Sequence, residues 1–547
     1  MSSRGSRGNS TLSGLIRTAK QFVKSKIGVI GAVIILFFVC LALLAPVITT
    51  SAPVTGFNVG AQYAVPAWAV IFPQYAKDSV GNTLLIPKTE FVNASDLSPW
   101  QVDDFKGSNY TLAISSENPH DSSAPGSGSL YVNATAQDNQ TIASSHDPNP
   151  LIPYGQVLLE MSAPIQFNGK APEEFRLGTA IDPLSMKDLS ALYVIFIVET
   201  PTGNNYTLAS IQGYSLESQI IVATPGQWKD VNISSSILAD PDNHIPAFET
   251  SANSAGIVFT AAGTYHLIMQ IQGVCSNYRF NSEGYSACPS NLSVSALISP
   301  VTLKSYGSAY GLLGTDSDGR SVWSQFVWGS QISLEVGILA AVGSVGLGTI
   351  AGVAGGYLGG LTDEVLGRVT DFVLVLPFLP LLIILVLILT RNPLFDTQIY
   401  LWIIVIFTVI SWPGIARIIR SQVLSVKERP YVEASRALGG GTGHVLRKHI
   451  IPNVMGLVYS QMALSVSGFI LTEAALDYLS VSVHPITTIT WGIMLTNSLG
   501  DATTNSAHSY VWWWFLPPGI AIAALSLAFV LVGFALDSVF NPKLRAR

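Results

Sequence analysis

The chain has 547 residues, too many for one ordinary domain, yet only 11% are charged, against about 25% in soluble proteins. With 49% hydrophobic residues and a formal net charge of −6, it points to a membrane and lacks the basic face that nucleic-acid binding requires. The charge is also uneven: residues 50–303 carry 8 Lys and Arg against 21 Asp and Glu, a net of −13, while basic residues gather near the termini and in a stretch from 414 to 450.

Residues 1–26 contain Arg4, Arg7, Arg17, Lys20, Lys24 and Lys26 and no acid. This basic N-terminus is expected in the cytoplasm, followed by a first transmembrane helix over 27–49. The apolar run exceeds the 7–15 residues of a signal-peptide core, so a retained span is expected over a cleaved leader. Cys40 is read as packing within it.

From 50 to 304 no window is apolar and long enough to span, and Ser, Thr, Asn, Pro and Gly abound. The segment reads as an extracytoplasmic β-rich domain. Strands are expected at 192–199, 219–224, 256–260 and 265–272, each bounded by turn residues, and a β-sandwich follows. Pro and Ser clusters near 117–129 and 146–153 mark a looser part or a separate strand module. Seven Asn-x-Ser/Thr sequons stand at Asn93, Asn109, Asn133, Asn139, Asn205, Asn232 and Asn291, possible N-glycosylation sites in a host that performs the reaction. Cys275 and Cys288, the domain's two cysteines on the oxidising side, are expected to form a disulfide. Trp68, Trp100 and Trp228 offer either sugar-stacking surfaces or sandwich core, and core is the simpler reading.

Further spans are expected at 331–357, 372–390, 398–419, 454–479 and 514–537, six with the first, joined to the β-rich domain through 305–330. Arg368, Arg417, Arg420, Lys427, Arg429, Arg436, Arg447 and Lys448, then Lys543, Arg545 and Arg547, collect at one side of these spans. Positive-inside bias places that side and both termini in the cytoplasm. Polar groups within spans are costly. Glu473 either bonds a neighbouring helix or faces a translocation path, Asp477 is expected near the outer water, and Glu335 is expected hydrated near the outer end of its span. Arg368 and Asp371 are read as an intrahelical pair, and Trp512 to Trp514 as an interfacial aromatic belt.

Gly314 to Ser321, GTDSDGRS, mimics a phosphate-binding loop, but arginine replaces lysine, Asp316 and Asp318 would repel phosphate, and the strand and helix that must flank it are missing. The eight histidines show no HExxH or other metal spacing, and no paired carboxylates stand out for glycoside chemistry. The chain is therefore expected to be no enzyme and to bind no metal or cofactor. Residues 431–453, YVEASRALGGGTGHVLRKHIIPN, read as a short helix, a glycine stop and a second helix. Glu433, Arg436 and Ala437 share a face, and Gly439 to Gly441 break the helix because glycine tolerates the left-handed position after its end. Such a knob suits docking into another protein.

Glu433, Ala434, Gly439 and Pro452 fall on the Glu-Ala-Ala…Gly…Pro pattern of the coupling loop of ABC importer permeases, with Ser435 in place of the second alanine and His449 to Pro452 resembling the His-Ile-Leu-Pro ending of the dipeptide and oligopeptide branch. Leu313 to Arg320 resembles the Leu-Gly-Thr-Asp-x-x-Gly-Arg signature of the same branch, although Ser321 departs from its usual aspartate. Gly355-Gly356-Tyr357, Trp412-Pro413-Gly414, Glu473-Ala474, Trp491-Gly492 and Asn541 to Arg545 continue the likeness in order. The sequence thus resembles permease subunits of the dipeptide, oligopeptide and nickel group, weakly over 1–50 and strongly over 305–547, with the β-rich insert outside it. The resemblance implies a polytopic α-helical membrane protein of the type I importer fold with six transmembrane helices and an inserted extracellular β-sandwich-like domain. It implies half of a translocation pathway for dipeptides, oligopeptides or oligosaccharides. The partners it implies are a second homologous permease, two ABC ATPase subunits that bind ATP and Mg, an extracellular solute-binding protein, and membrane lipid. The loop over 424–453, with Glu433, Ala434, Ser435, Arg436, Ala437, Gly439 and Pro452, would couple the ATPases to the spans. The insert would cover the pore mouth, grip the binding protein or bind cargo. A membrane-anchored receptor or adhesin acting through the β-rich domain is the alternative, and it leaves the knob idle.

Overall fold

The computed structural model describes residues 21–49, 51–54, 59–75, 82–86, 97, 100–106, 109–115, 128–137, 157–167, 174–187, 189–208, 210–212, 215–217, 220–222, 227–234, 258–259, 261–275, 291–390, 399–479, 488–504 and 511–540. The chain divides into two compact units, one made of Met1–Val59 with Leu313–Arg547 and the other of Gly60–Leu312.

The second unit is β-rich. Its strands are β1 Asn82–Ile86, β2 Gln101–Lys106, β3 Asn109–Ser115, β4 Ser129–Gln137, β5 Val157–Phe167, β6 Glu174–Lys187, β7 Leu189–Glu199 and β8 Asn205–Leu208. They continue as β9 Ser210–Gln212, β10 Ser215–Glu217, β11 Ile220–Val222, β12 Lys229–Ser234, β13 Gly263–Cys275, β14 Asn291–Ile298 and β15 Thr302–Tyr306. Among the described residues one sheet runs β1-β15-β6-β14-β4-β3 with β12 on β6, a second runs β11-β7-β13-β5-β2 with β8 on β7, and β9 pairs with β10 alone. All the pairings are antiparallel. Strands β14 and β15 lie end to end along one edge of β6, separated at Ser299, whose hydroxyl accepts from the Ala180 N–H at 2.6 Å.

Alternation builds the core between the sheets. In β5, Leu159, Met161, Ala163 and Ile165 are buried, and in β13 so are Tyr265, Leu267, Met269 and Ile271. The register pairs Leu267 with Ala163 and with Val198. Of residues 256–260, expected as a strand, Val258 and Phe259 are the described ones, and both are fully buried outside the strands, with Phe259 packed against Phe167, Phe175 and Tyr265. An apolar run of this length plugs the sandwich as readily as it extends a sheet. Trp100 is buried, Trp228 half-buried, and Trp68 exposed. Asn109, Asn133, Asn205, Asn232 and Asn291 lie on β3, β4, β8, β12 and β14, while Asn93, Asn139 and Cys288 fall outside the described residues, so the Cys275–Cys288 pairing does too.

The first unit is helical: α1 Lys26–Leu43, α2 Val322–Leu358, α3 Gly360–Val375, α4 Phe378–Thr390, α5 Ile399–Lys427, α6 Pro430–Ala437, α7 Ile451–Tyr478, α8 Trp491–Thr504 and α9 Trp512–Phe540. Among the described residues five stretches are long and apolar enough to cross a membrane, and α3 with α4 makes a further pair bent by 85°. Pro377 explains the bend, since it forces Leu376 out of the helical region (φ −69°, ψ 134°) and removes a helical donor. Helix α2 starts nine residues before the expected 331 because Ser321 caps it, its hydroxyl accepting from the Ser324 N–H at 3.3 Å.

Small residues bring the helices together. Along α2, a Cβ added at Gly348 would lie 2.8 Å from the Ile415 side chain, and one at Gly352 would lie 2.6 Å from the Ala416 carbonyl oxygen. Helix α1 packs on α9 in the same way, through Gly28 against Ala535 and Gly31 against the Ala528 carbonyl. Cys40, expected in packing, is exposed, because α1 turns its glycine face to α9 and leaves Cys40 on the open side with Leu36 and Phe37.

Candidate functional site

Helix α6 begins at a proline, which needs no amide partner in a first turn, and ends after Ala437. Gly439 has φ +86°; its N–H bonds to the Arg436 carbonyl at 2.9 Å, and the Gly440 N–H bonds to the Ser435 carbonyl at 2.9 Å. These two bonds are the Schellman closure, and they place the helix end that three consecutive glycines leave ambiguous. A side chain at Gly440 would put Cβ 2.6 Å from the Ser435 carbonyl oxygen.

The chain restarts over Thr442–Val445, widens to a π-helical turn at Leu446–Ile450, and continues as α7. Pro452 supplies the reason for the wide turn: without an N–H it cannot close the ordinary i→i−4 bond, and its ring crowds the preceding turn. The Asn453 amide donates instead to the His449 carbonyl at 2.6 Å.

The resulting knob has two faces. Val432, Val445 and Ile450 are fully buried and join Tyr357 of α2, Ile419, Val423 and Val426 of α5, and Val454 and Val458 of α7 in one cluster. The Arg436 guanidinium lies over the Tyr357 ring, 5.0 Å from its centroid. Glu433, Ala434, Ala437 and Leu438 are exposed, Leu438 at 89%, and Ser435 is half-buried. Glu433, Ala434, Ser435, Arg436, Ala437 and Gly439 thus sit within three helical turns, whereas Pro452 stands apart at the joint with α7. The spacing of the motif carried no sign of Val432, Val445, Ile450 or Tyr357. Their signal was the apolar period of the loop, read together with the span it packs on.

Helix α3 is tied to α5 beside the knob. Arg420 grips Asp363 in a two-pronged ion pair, its Nη2 at 2.6 Å, and Arg417 pairs with Asp371. Arg368, expected to pair with Asp371, lies 3.6 Å from Glu364 one turn earlier instead. The i,i+4 order with glutamate first is the favoured helical geometry, and Asp371 is drawn off by α5.

The opposite end of the bundle is organised by Asp316. Its carboxylate is fully buried and accepts from the Asp318 N–H (2.9 Å), the Arg320 N–H (2.8 Å), Arg320 Nε (2.8 Å) and Gln325 Nε2 (2.6 Å). Burial pushes this carboxyl above the usual range, against the downward pull of the Arg320 charge and these hydrogen bonds. Gly314 and Gly319, at φ +68° and +66°, turn the loop, and Val322 at the start of α2 bonds back to the Gly314 carbonyl at 3.1 Å. Trp513 donates to the Thr315 carbonyl at 3.2 Å. Trp513 and Trp514 are therefore buried rather than an interfacial belt, since the indole donor is engaged by this loop.

Glu473 is buried and accepts from the Ser333 hydroxyl of α2 at 3.3 Å. Asp477, expected near water, is also buried. It accepts from the Thr490 hydroxyl at 2.5 Å and packs against Gly492, where only a residue without a side chain leaves room. Glu335 is exposed on α2. Among the described residues no group of three His, Cys, Asp or Glu side chains is placed to hold a metal.

Comparison with known proteins bears on these elements. Residues 344–546 match the model of the binding-protein-dependent transport system inner membrane component, and residues 15–66 match that of the N-terminal transmembrane domain of oligopeptide transport permease C. The chain is 36% identical over 233 residues to the dipeptide transport system permease protein DppC of Bacillus subtilis, covering 42% of this chain and 68% of that one. It is 38% identical over 232 residues to the oligopeptide transport system permease protein OppC of the same organism, covering 42% and 72%. It is 35% identical over 235 residues to OppC of Haemophilus influenzae, covering 43% and 71%.

Proposed function

The chain belongs to the family of binding-protein-dependent transport system inner membrane components, and on that premise we propose that it is one permease half of an ATP-driven importer of dipeptides or oligopeptides. Its relatives are transport permeases, and the chain is a multi-pass membrane protein and not an enzyme. In this reading a second, homologous permease completes the pathway, two ATPase subunits carry ATP and Mg, and an extracellular binding protein delivers the peptide.

The observation that carries the reading is the two-faced knob. Its exposed face, Glu433, Ala434, Ala437 and Leu438, docks into an ATPase, and its buried face is rooted in α2, α5 and α7. A displacement of the docked ATPase then moves three spans together, which is rigid-body coupling between two states. The orientation has independent support. The knob shares its end of the bundle with the start of α1 and the close of α9, through Gly28 against Ala535 and Gly456 against Phe540. That end gathers Arg417, Arg420, Lys427, Arg429, Arg436, Arg447 and Lys448, and positive-inside bias supports a cytoplasmic placement for it.

The test is ATP-dependent uptake of a labelled dipeptide by vesicles carrying the full complex, with Ala434→Trp as the perturbation. The variant is expected to reach the membrane at the ordinary level, to lose the ATPase subunits on purification in mild detergent, and to lose uptake. Wild-type uptake by this variant refutes the docking face, and uptake of labelled oligosaccharide in place of peptide refutes the cargo.

A further inference from the structure

Residues 60–75 and 307–312 form the base of the β-rich unit. The short 3-10 turns Ala67–Ile71 and Pro73–Tyr75 pack through Ala61, Ala64 and Ala69, which are fully buried, and Val65 bridges to Ala309. This packing turns the large apolar side chains outward: Trp68 is 41% exposed, Phe72 49%, Leu312 56% and Ile71 83%. Trp68 and Phe72 stack edge to face with centroids 6.2 Å apart, and the Trp68 indole donates to the Leu312 carbonyl at 2.8 Å. The patch is therefore ordered, and apolar residues are turned out where the alanines could have been.

Its surroundings identify what covers it. No charged residue lies between Lys26 and Lys77, or between Lys304 and Asp316, in a unit that elsewhere is strongly acidic. Charged side chains, which commonly rim a surface meant for a water-borne partner, are missing from both stretches. Tryptophan with phenylalanine and aliphatic side chains on an uncharged segment is the composition of the bilayer interface, where an indole keeps its polar N–H bonded while its rings leave water. The covalent chain supplies the position. Leu312 is two residues along the chain from Gly314, whose carbonyl is bonded to the first residue of α2, so the backbone joining Leu312 to Gly314 is at most roughly 7 Å long. Thr49, just beyond α1, accepts from Trp328 at 3.0 Å, about two turns into α2, and marks the level at which the first span leaves the membrane.

We propose that Trp68, Ile71, Phe72 and Leu312 form an interfacial anchor that rests in the headgroup and upper acyl region of the bilayer. The anchor requires the spans and does not depend on the cargo.

The experiment places a photo-cross-linking residue in the full chain, as Ile71→p-benzoylphenylalanine, within the complex in native-lipid nanodiscs. Leu184→p-benzoylphenylalanine is the control, since Leu184 is 40% exposed on the same unit but about ten residues, or roughly 33 Å, along β6 from the end paired with Tyr306. Mass spectrometry of the adducts reads the neighbour directly. Lipid adducts at position 71, about tenfold or more above position 184, are the expected result. Adducts with a binding protein, a second permease or another copy of this chain overturn the proposal, and so does a lipid yield no higher than the control, which would mean the patch faces water. Uptake is not read, so the outcome stands apart from the importer assignment.

Discussion

Replacing Val432 by alanine tests whether the knob works as a lever rooted in the spans. Val432 is fully buried beneath α6 and is one of three knob side chains in the cluster formed with α2, α5 and α7. The change removes two methyl groups, about 1.6 kcal/mol of transfer free energy, and the cavity raises the total to about 2–3 kcal/mol. An eight-residue helix has little stability of its own, so the loss falls on docking of the knob and not on the bundle. The open population then rises about 30- to 160-fold. Hydrogen exchange of residues 430–438 in the purified complex is expected to quicken by that factor while α5 and α7 exchange as before, with ATP hydrolysis continuing and peptide uptake falling. Leu438→Ala provides the contrast. At 89% exposure it has little to lose in the fold, and it is expected to leave exchange unchanged while weakening retention of the ATPases. If Val432→Ala leaves exchange of 430–438 at the wild-type rate and still abolishes uptake, the lever argument is wrong.

Gly352→Leu drives a side chain into the Ala416 carbonyl, 2.6 Å from the Cβ position, and is expected to separate α2 from α5 and abolish accumulation of folded protein. Gly346→Ala, which meets nothing within 4 Å, is expected to accumulate normally, as membrane fractionation and size-exclusion profiles will show. Asp316→Asn turns an amide NH2 toward donors that the carboxylate now accepts from and leaves Arg320 with Asp318 alone of its two carboxylate partners, at a cost of about 2–4 kcal/mol. The apparent melting temperature in detergent is expected to drop, with partial recovery in the double variant with Arg320→Met. A melting temperature equal to wild type would show that the loop does not organise the head of α2.

The membrane class, the family and the helix–stop–helix form of the knob were all legible in the sequence, because each rests on a local rule. Those rules are apolar length against bilayer thickness, glycine at a left-handed position, and proline at a helix start. The β-rich insert was legible as a class through its alternating runs in β7 and β13. What tertiary structure decided was partnership. Asp371 could bond Arg368 on its own helix or Arg417 on another, and only the packing of α3 on α5 brings the second within reach. Asp477 and Trp513 carry the residue types of an interface, yet the loop at Asp316 and the turn at Thr490 bury both. Phe259 sits in an apolar run that suits a strand and is spent as a core plug. Val432, Val445 and Ile450 are unremarkable in order along the chain, and their anchoring role exists only because α2, α5 and α7, far apart in sequence, converge beneath them. Periodicity and capping are properties of neighbouring residues and are written in order along the chain, whereas a partner across space depends on which helices approach, and that is settled by the glycine contacts of the whole bundle.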